Sequence, residues 1–203
     1  NHTVGSLAGE DRAVQSIVVE ANKNILSPLS KGTPLMNGSY EGANREAVQE
    51  LVDKAEGYAI HVPANAKEIV GIRIDASQRV ANRFQFIVEN GAELEVQFYV
   101  TGSGHELTNV SYLSEYDVKD SAKVVVKKVN LLPEHVQHIE HRYTKLEDRA
   151  DVEYINIEIG GSENFLNYYH DLVGQESHIV HDIAYLGNKE QKFDIAMLMS
   201  HGG

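Results

Sequence analysis

The stretch Leu146–Gly161, LEDRADVEYINIEIGG, decides the fold because its pattern recurs along the chain. A charged or glycine-containing turn leads into a small residue, and a strand-like run follows. Two further copies are ENGAELEVQFYV at Glu89–Val100 and KDSAKVVVKKV at Lys119–Val129. Looser copies are PANAKEIVGIRI at Pro63–Ile74 and GQESHIVHDIAYL at Gly174–Leu186. Recurrence of one supersecondary unit is typical of stacked repeats, in which each unit buries its apolar face against its neighbours.

The spacing of the small residues is nearly constant. They are Ala66, Ala92, Ala122, Ala150 and Ser177, which lie 26, 30, 28 and 27 residues apart. Each unit holds two runs rich in β-branched and aromatic residues, as half-buried strands require. We therefore predict a mainly β protein, a right-handed parallel β-helix with two strands per coil of about 27 residues; the hand comes from the general rule for parallel crossovers.

Apolar residues also align between units. The second position after the small residue holds Leu94, Val124, Val152 and Ile179, and the fourth holds Val96, Val126, Tyr154 and His181. The first unit is out of step by one, with Glu68 at the second position and Ile69 after it. Matching inward columns are what parallel stacking produces. Within the opening stretch, Ala150 should mark a corner, with Val152 and Tyr154 inward and Asp151 and Glu153 outward.

The first 57 residues lack the repeat and form a predicted helical and loop region, with the β-helix spanning residues 58–203. We expect a helix at Glu10–Ile25, although SIVVE within it could by itself be a strand. A second helix is expected within GANREAVQELVDKAEG, where Asn44 can cap the start and Gly57 the end. Ser27–Tyr40 is interpreted as a loop. The fifth unit finishes where the next turn is due, so we expect the β-helix to be incomplete at its C-terminus or covered there by a partner.

Composition narrows the function classes. The 203 residues carry a net charge of −12 without a basic stripe, which argues against a nucleic-acid partner. We find no apolar run long enough to span a bilayer, so no membrane partner is expected. There is no cysteine, which excludes thiolate ligands from these residues and fits a cytoplasmic location.

The ten histidines invite a metal hypothesis. His135, His138 and His141 are three residues apart, which places His138 on the strand face opposite to the other two. His178 and His181 are likewise on opposite faces. We therefore predict no metal site, with His141, His170 and His201 as the candidates that neighbouring coils could bring together.

Acidic side chains cluster at Glu89, Glu93 and Glu95 and at Asp148, Asp151 and Glu153. They fall mostly at turns and outward columns, where solvated carboxylates are the ordinary case. No phosphate-binding glycine motif or nucleophile context is present. The sequence therefore predicts no catalytic residue, no cofactor-binding residue and no enzyme.

Residues 58–203 resemble the SufB/SufD family, the β-helical scaffold proteins of the SUF iron–sulfur cluster assembly system. The clearest likeness runs over His141–Gly203: a strand ending in TK, an acid-bearing turn with alanine, a Gly-Gly turn, and a final Q-x-x-D to H-x-G signature. Gln191, Asp194, His201 and Gly203 hold that signature. The family continues beyond this point with further coils, so the resemblance also implies a truncated chain.

The resemblance implies a non-catalytic scaffold or accessory subunit that acts through protein–protein contacts. Its partners would be a SufC-type ABC ATPase and a SufB-type subunit, or a second copy in a homodimer. Without cysteine the chain cannot supply the thiolate of a SufB-type scaffold, which points to a SufD-like member. No cofactor is then bound by this segment, and an iron–sulfur cluster is met only through the wider complex.

Two alternatives remain open. A carbohydrate-active β-helix enzyme would need acidic or basic residues clustered in one groove. A histidine-based metal-binding protein would need strand histidines from neighbouring coils to converge.

Overall fold

The structure, a computed structural model, describes residues 2–6, 16–37, 44–103, 108–188 and 190–202. Strands are numbered in chain order. One seven-stranded sheet contains, in spatial order, β1 (His2–Ser6), β2 (Ile17–Asn22), β5 (Lys67–Asp75), β7 (Glu93–Thr101), β9 (Lys123–Asn130), β11 (Asp151–Glu158) and β13 (His178–Tyr185). The other contains β3 (Leu26–Leu29), β4 (Gly57–Val62), β6 (Val80–Val88), β8 (Thr108–Val118), β10 (Val136–Leu146), β12 (Glu163–Leu172) and β14 (Lys192–His201).

From β4 onward, successive strands alternate between the two sheets, and neighbours within each sheet are parallel. This is a parallel β-helix of two strands per coil, as the repeat predicts. The pairings of β1 with β2, β2 with β5, and β3 with β4 are antiparallel. The N-terminal strands β1, β2 and β3 therefore extend both sheets by antiparallel pairing, whereas the strands of the repeat pair in parallel.

Each coil turns its corner in the same way. The residue before the small residue has a positive φ in every unit: Asn65 60°, Gly91 68°, Ser121 58°, Arg149 55° and Glu176 56°. Ala92, Ala122 and Ala150 are fully buried. The carbonyl of Ala122 accepts the N–H of Asp151 at 3.0 Å, and that of Ala150 accepts the N–H of His178 at 2.9 Å. At Ala92, Ala122 and Ala150 the full burial beneath the turn explains why a small residue stands at the corner.

The predicted columns are confirmed by the strand register. Val96, Val126, Tyr154 and His181 follow one another across β7, β9, β11 and β13. The predicted slip of the first unit is wrong. Glu68 pairs in register with Leu94, and Ile69 lies on the outward side with 57% of its surface exposed. The backbone keeps its register there, and only the residue type departs from the pattern.

The N-terminal prediction is partly wrong. Ile17–Asn22, inside the predicted helix Glu10–Ile25, is a strand that buries Ile17, Val19 and Ala21. Residues 10–15 of that prediction lie outside the described residues. Burial on alternate residues outweighs helical spacing here, because β5 offers a sheet edge for pairing. The strand Leu26–Leu29 takes up the first residues of the predicted loop Ser27–Tyr40, whose last three residues lie outside the described part of the chain.

The second predicted helix is confirmed as α1 (Arg45–Lys54), whose Val48, Leu51 and Val52 are buried. The helix begins after Asn44 as predicted, but Asn44 makes no side-chain capping bond, and the cap at the other end is Ala55 and not Gly57. Asn44 occupies the first capping position, but its side-chain amide donates to Asn167 Oδ1 at 2.7 Å. Gly57 begins β4, where a Cβ would lie 1.7 Å from the carbonyl oxygen of Arg83. That glycine is required by close strand contact.

Residues 30–37 cross the outer face of the second sheet and are held by buried polar side chains. Arg83 Nη1 donates to the carbonyl of Thr33 at 2.6 Å, and Glu115 Oε1 accepts the N–H of Met36 at 2.8 Å. Arg83 and Glu115 also form an ion pair at 3.2 Å. Together with α1, this segment covers an outer sheet face that would otherwise be solvated. No helix in the described part of the chain is long and apolar enough to cross a membrane.

Candidate functional site

The interior of the β-helix changes character along its axis. Between β5 and β8 the inward residues are mostly apolar, with Phe84, Phe86 and Phe98 at most 2% exposed, although Asn82 and Ser114 are buried there as well. From β9 to β12 the same columns carry charged and polar side chains, which are also buried. They are Lys128, Asn130, His138, Glu140, Arg142, Thr144, Asn156, Glu158, Asn164 and His170. We call this set the polar interior.

Strand register explains how these side chains enter. Lys128 follows Phe98 in one column, and Glu158 follows Asn130 and Val100 in another. On β10, Glu140 and Arg142 occupy inward positions in register with Tyr112 and Ser114 of β8. Because side chains alternate along a strand, these residues could point outward only if the whole strand shifted its register by one residue. They must therefore satisfy one another inside the coil.

Two cationic and two acidic side chains pair with one another at the centre of the polar interior. Lys128 Nζ forms ion pairs with both Glu140 and Glu158, and Arg142 Nη2 contacts Glu140 Oε1 at 2.6 Å. Two cations and two carboxylates give a formal sum of zero, and all four side chains are fully buried. Buried charges are tolerated when they are paired and hydrogen-bonded.

The pKa shifts reflect this pairing. Burial alone would raise the pKa of Glu140, but the charges of Arg142 and Lys128 outweigh it and lower the pKa to about 2. Burial would lower the pKa of Lys128, yet Glu140 and Glu158 raise it. Glu140 and Lys128 are therefore both charged at neutral pH.

An amide and imidazole arm extends from this centre. Asn130 Nδ2 donates to Glu158 Oε2 and to Asn164 Oδ1, each at 2.9 Å. His138 Nδ1 lies 3.1 Å from Asn164 Oδ1, and Tyr112 OH lies 3.0 Å from His138 Nε2. Burial, followed by the charge of Lys128, lowers the pKa of His138 to about 4. His138 is thus neutral at pH 7, with Nδ1 as donor and Nε2 as acceptor.

A second arm is aromatic. The Arg142 guanidinium lies 4.2 Å from the ring centroid of Tyr154 and 4.6 Å from that of Tyr168. Tyr168 OH donates to Glu140 Oε2 at 3.0 Å. Thr144 Oγ1 contacts Tyr154 OH at 2.5 Å and His170 Nδ1 at 2.9 Å. His170 Nε2 then lies 2.6 Å from His181 Nε2, so the network reaches the last two coils of the described stack.

The three metal candidates do not converge. His170 points inward, but His141 lies on the outer side of β10 and is covered, 1% exposed. His201 is exposed near the end of β14, paired in register with Leu172. The described residues contain no group of three histidine, aspartate or glutamate side chains placed to hold a metal. The predicted opposite faces of His138 and His141 are confirmed.

The acidic clusters lie outside, as predicted for those residues. Glu93 contacts Lys67 at 3.1 Å, and Glu95 contacts Lys127 at 2.5 Å. Glu140 and Glu158 were missed, although a signal existed. Glu158 is the eighth residue after Ala150 and Lys128 the sixth after Ala122, both even and therefore inward positions. Counting further along each strand would have placed these charges in the interior.

The arrangement limits the chemistry that the polar interior can perform. Its carboxylates are enclosed and neutralised by cations, so a polymeric substrate cannot reach them. Two carboxyl groups that both bind one lysine do not provide the separate acid and base of glycoside hydrolysis. The network is suited to holding strands in register.

Comparison with protein families identifies the chain. Residues 72–203 match the family described as SUF system FeS cluster assembly, SufBD core domain. No curated protein matches the sequence. The matched range covers β6 to β14 and the end of β5, and therefore the whole polar interior as well as most of the apolar coils. Fold and family match agree, and the chain belongs to the SufBD core domain family of the SUF iron–sulfur cluster assembly system.

Proposed function

We propose that the chain is a non-catalytic accessory subunit of SUF-type iron–sulfur cluster assembly, close to the SufD branch, which acts in the cytoplasm through protein–protein contacts. The family match over residues 72–203 is the observation that carries this proposal. The partners proposed are a SufC-type ABC ATPase and a SufB-type subunit.

Two features of the chain support the accessory role. These 203 residues contain no cysteine, so they offer no thiolate to a cluster. The charged side chains inside the coils are buried and mutually paired, so they serve the frame. A rigid β-helix of this kind presents long outer faces at fixed spacing, which suits a protein that positions partners.

The first experiment is co-purification. The full-length protein is expected to retain the SufC-type ATPase and the SufB-type subunit through gel filtration. An unrelated ABC ATPase serves as the control and should elute separately. Failure of the full-length protein to retain either partner would refute the proposed role.

A second experiment separates the SufD-like from the SufB-like assignment. The isolated protein is incubated anaerobically with ferrous iron and sulfide, and its visible absorption is recorded after desalting. We expect no stoichiometric cluster on the isolated chain and a cluster in the complex with the SufB-type subunit. A stable cluster on the isolated chain would overturn the accessory role while leaving the family assignment intact.

A further inference from the structure

The paired histidines at the end of the aromatic arm have a geometry that the strand frame alone does not require. His170 on β12 and His181 on β13 come from opposite sheets, and their Nε2 atoms face each other at 2.6 Å. Their rings lie against Tyr154 and Tyr168, with centroid distances of 4.8 Å from His181 to Tyr154 and 5.4 Å to Tyr168. Two imidazole nitrogens thus converge on one point of the interior.

One tautomer of His170 suits a metal ligand. With its proton on Nδ1, His170 donates to Thr144 Oγ1 at 2.9 Å, and the lone pair of its Nε2 is directed at His181. A ligating histidine typically donates its other ring N–H in this way, which fixes the orientation of the ring. His181 Nδ1 is buried and has no hydrogen-bond partner among the described residues. It can take up the proton that His181 Nε2 gives up, so both Nε2 atoms can present lone pairs at no net change in charge.

The strand register supplies a candidate third donor on the next strand, a methionine that is 42% exposed. Met199 of β14 pairs in register with His170 of β12, so its side chain lies on the same face of the sheet. Imidazole together with a thioether is a donor set that favours a soft cation, above all Cu⁺. Met197 pairs with Tyr168 and lies in the neighbouring column.

We propose that His170, His181 and Met199 form a binding site for a monovalent copper ion in the last coils of the β-helix. A metal with bond lengths of about 2.0–2.1 Å to nitrogen holds two such nitrogens roughly 3.3–3.5 Å apart. The two rings therefore need to separate by less than about 1 Å. His181 can make this shift because it is only half-buried.

The electrostatic setting permits a cation. Arg142 lies near both tyrosines, but its charge is compensated by Glu140 at 2.6 Å. The inference does not rest on the proposed role in cluster assembly.

The test is an anaerobic titration of the full chain with Cu⁺ in competition with bicinchoninate, and a parallel titration with Zn²⁺. We expect one Cu⁺ per chain. His181→Ala should weaken binding by at least the roughly 10- to 100-fold that loss of an outer partner costs. Met199→Leu should weaken Cu⁺ binding by roughly tenfold and leave any Zn²⁺ binding unchanged.

Matched controls lie beside each ligand. His178→Ala removes an exposed histidine three residues earlier on β13, and Met197→Leu removes a thioether from the next column. Both should bind Cu⁺ as the parent does. Absence of stoichiometric Cu⁺ binding, or equal losses in the controls, would overturn the site. Equal affinity for Cu⁺ and Zn²⁺ with no effect of Met199→Leu would overturn the assignment to a soft cation.

Folding is checked by circular dichroism of every variant. Should His181→Ala fail to fold, His181→Gln replaces it, because the glutamine amide retains a donor toward His170. X-ray absorption of the copper-loaded parent provides an independent readout. Two nitrogen neighbours and one sulfur neighbour are expected, and an oxygen-only shell would contradict the proposal.

Discussion

The early and late coils of this β-helix share one backbone frame but fill it in opposite ways. Around β6 and β7 the interior is a stack of rings, with Phe86 and Tyr116 at 4.7 Å and Phe84 and Phe98 at 5.6 Å. Around β9 to β12 the same columns carry Lys128, Glu140, Arg142 and Glu158.

The contrast separates two ways of specifying a stack. Apolar columns stabilise the stack but tolerate substitutions, because dispersion contacts form again after small changes in side-chain shape. A paired charge network allows few alternatives, because a shift of one residue along a strand would leave charges buried without partners. We therefore expect the late coils to fix the register of the stack, and the early coils to contribute stability less selectively.

The largest effect should follow removal of the central cation. Lys128→Met leaves Glu140 and Glu158 buried beside each other without their shared partner, which should cost about 3–5 kcal/mol of unfolding free energy. Lys127→Met is the matched control, because the adjacent Lys127 forms a half-exposed pair with Glu95. It should cost less than about 1 kcal/mol in the same urea titration. Equal losses in the two variants would remove the distinction between the interiors.

The pH dependence of stability should originate mainly in the late coils. Burial lowers the folded-state pKa of His138 and His141 to about 4, while the unfolded value is near 6.5. As pH falls from about 6.5 toward 4, the unfolded chain binds protons that the folded chain refuses, so the unfolding free energy falls. Below about 4.5, Glu140 adds to the loss, because its folded-state pKa is lowered to about 2.

One variant isolates this effect. His141 is buried with both ring nitrogens lacking hydrogen-bond partners among the described residues, so His141→Leu should reduce the slope between pH 6.5 and 4.5. Over that interval the difference should amount to roughly 1–3 kcal/mol. Exposed His178→Asn should leave the slope unchanged. Glu115 acts in the opposite direction, since burial raises its pKa and its stabilising contribution is lost as pH rises. Because Glu115 is present in both proteins, its contribution cancels when the slope of His141→Leu is compared with that of the parent protein.

Sequence reasoning predicted the frame of this molecule well, because the frame repeats. The small residue at each corner and the alternation after it required only local spacing, and strand register confirms both. The strand at Ile17–Asn22 was mistaken for a helix because pairing with β5 lies outside the local pattern.

The polar interior was harder to predict for a related reason. Extending the alternation to the sixth and eighth positions would place Lys128 and Glu158 inward, but a lone inward charge normally signals an error in the register. Only the partner strand shows that the charges meet. Glu140 comes from the opposite sheet, 12 residues after Lys128, and sequence spacing does not reveal that contact. The pairing of His170 with His181 was missed in the same way, since the two face each other from different sheets.

The early coils should tolerate a change of shape better. Phe86→Leu removes a ring stacked on Tyr116 but keeps an apolar side chain of similar reach. We expect a loss of about 1–2 kcal/mol, made up of a small cavity and the lost ring pair. Tyr99→Leu, at an exposed position on β7, is the control and should change stability by less than about 0.5 kcal/mol. A loss as large as that of Lys128→Met would mean that apolar columns are as selective as charged ones.

The smallest effect concerns the corners, which should behave alike in both regions. Gly91 precedes β7 among the apolar coils and Arg149 precedes β11 among the polar ones, and both have a positive φ. Gly91→Ala should cost about 1 kcal/mol or somewhat more, because a Cβ is disfavoured there and would lie 2.5 Å from Asn65 Oδ1. Arg149→Gly should gain up to about 1 kcal/mol by relieving the same strain, less the cost of ordering a glycine. Thermal unfolding of both variants measures the two shifts. The two shifts should have opposite signs, because Gly91→Ala introduces a Cβ at a positive φ and Arg149→Gly removes one. A loss of stability in Arg149→Gly would show that the polar interior also constrains its corners.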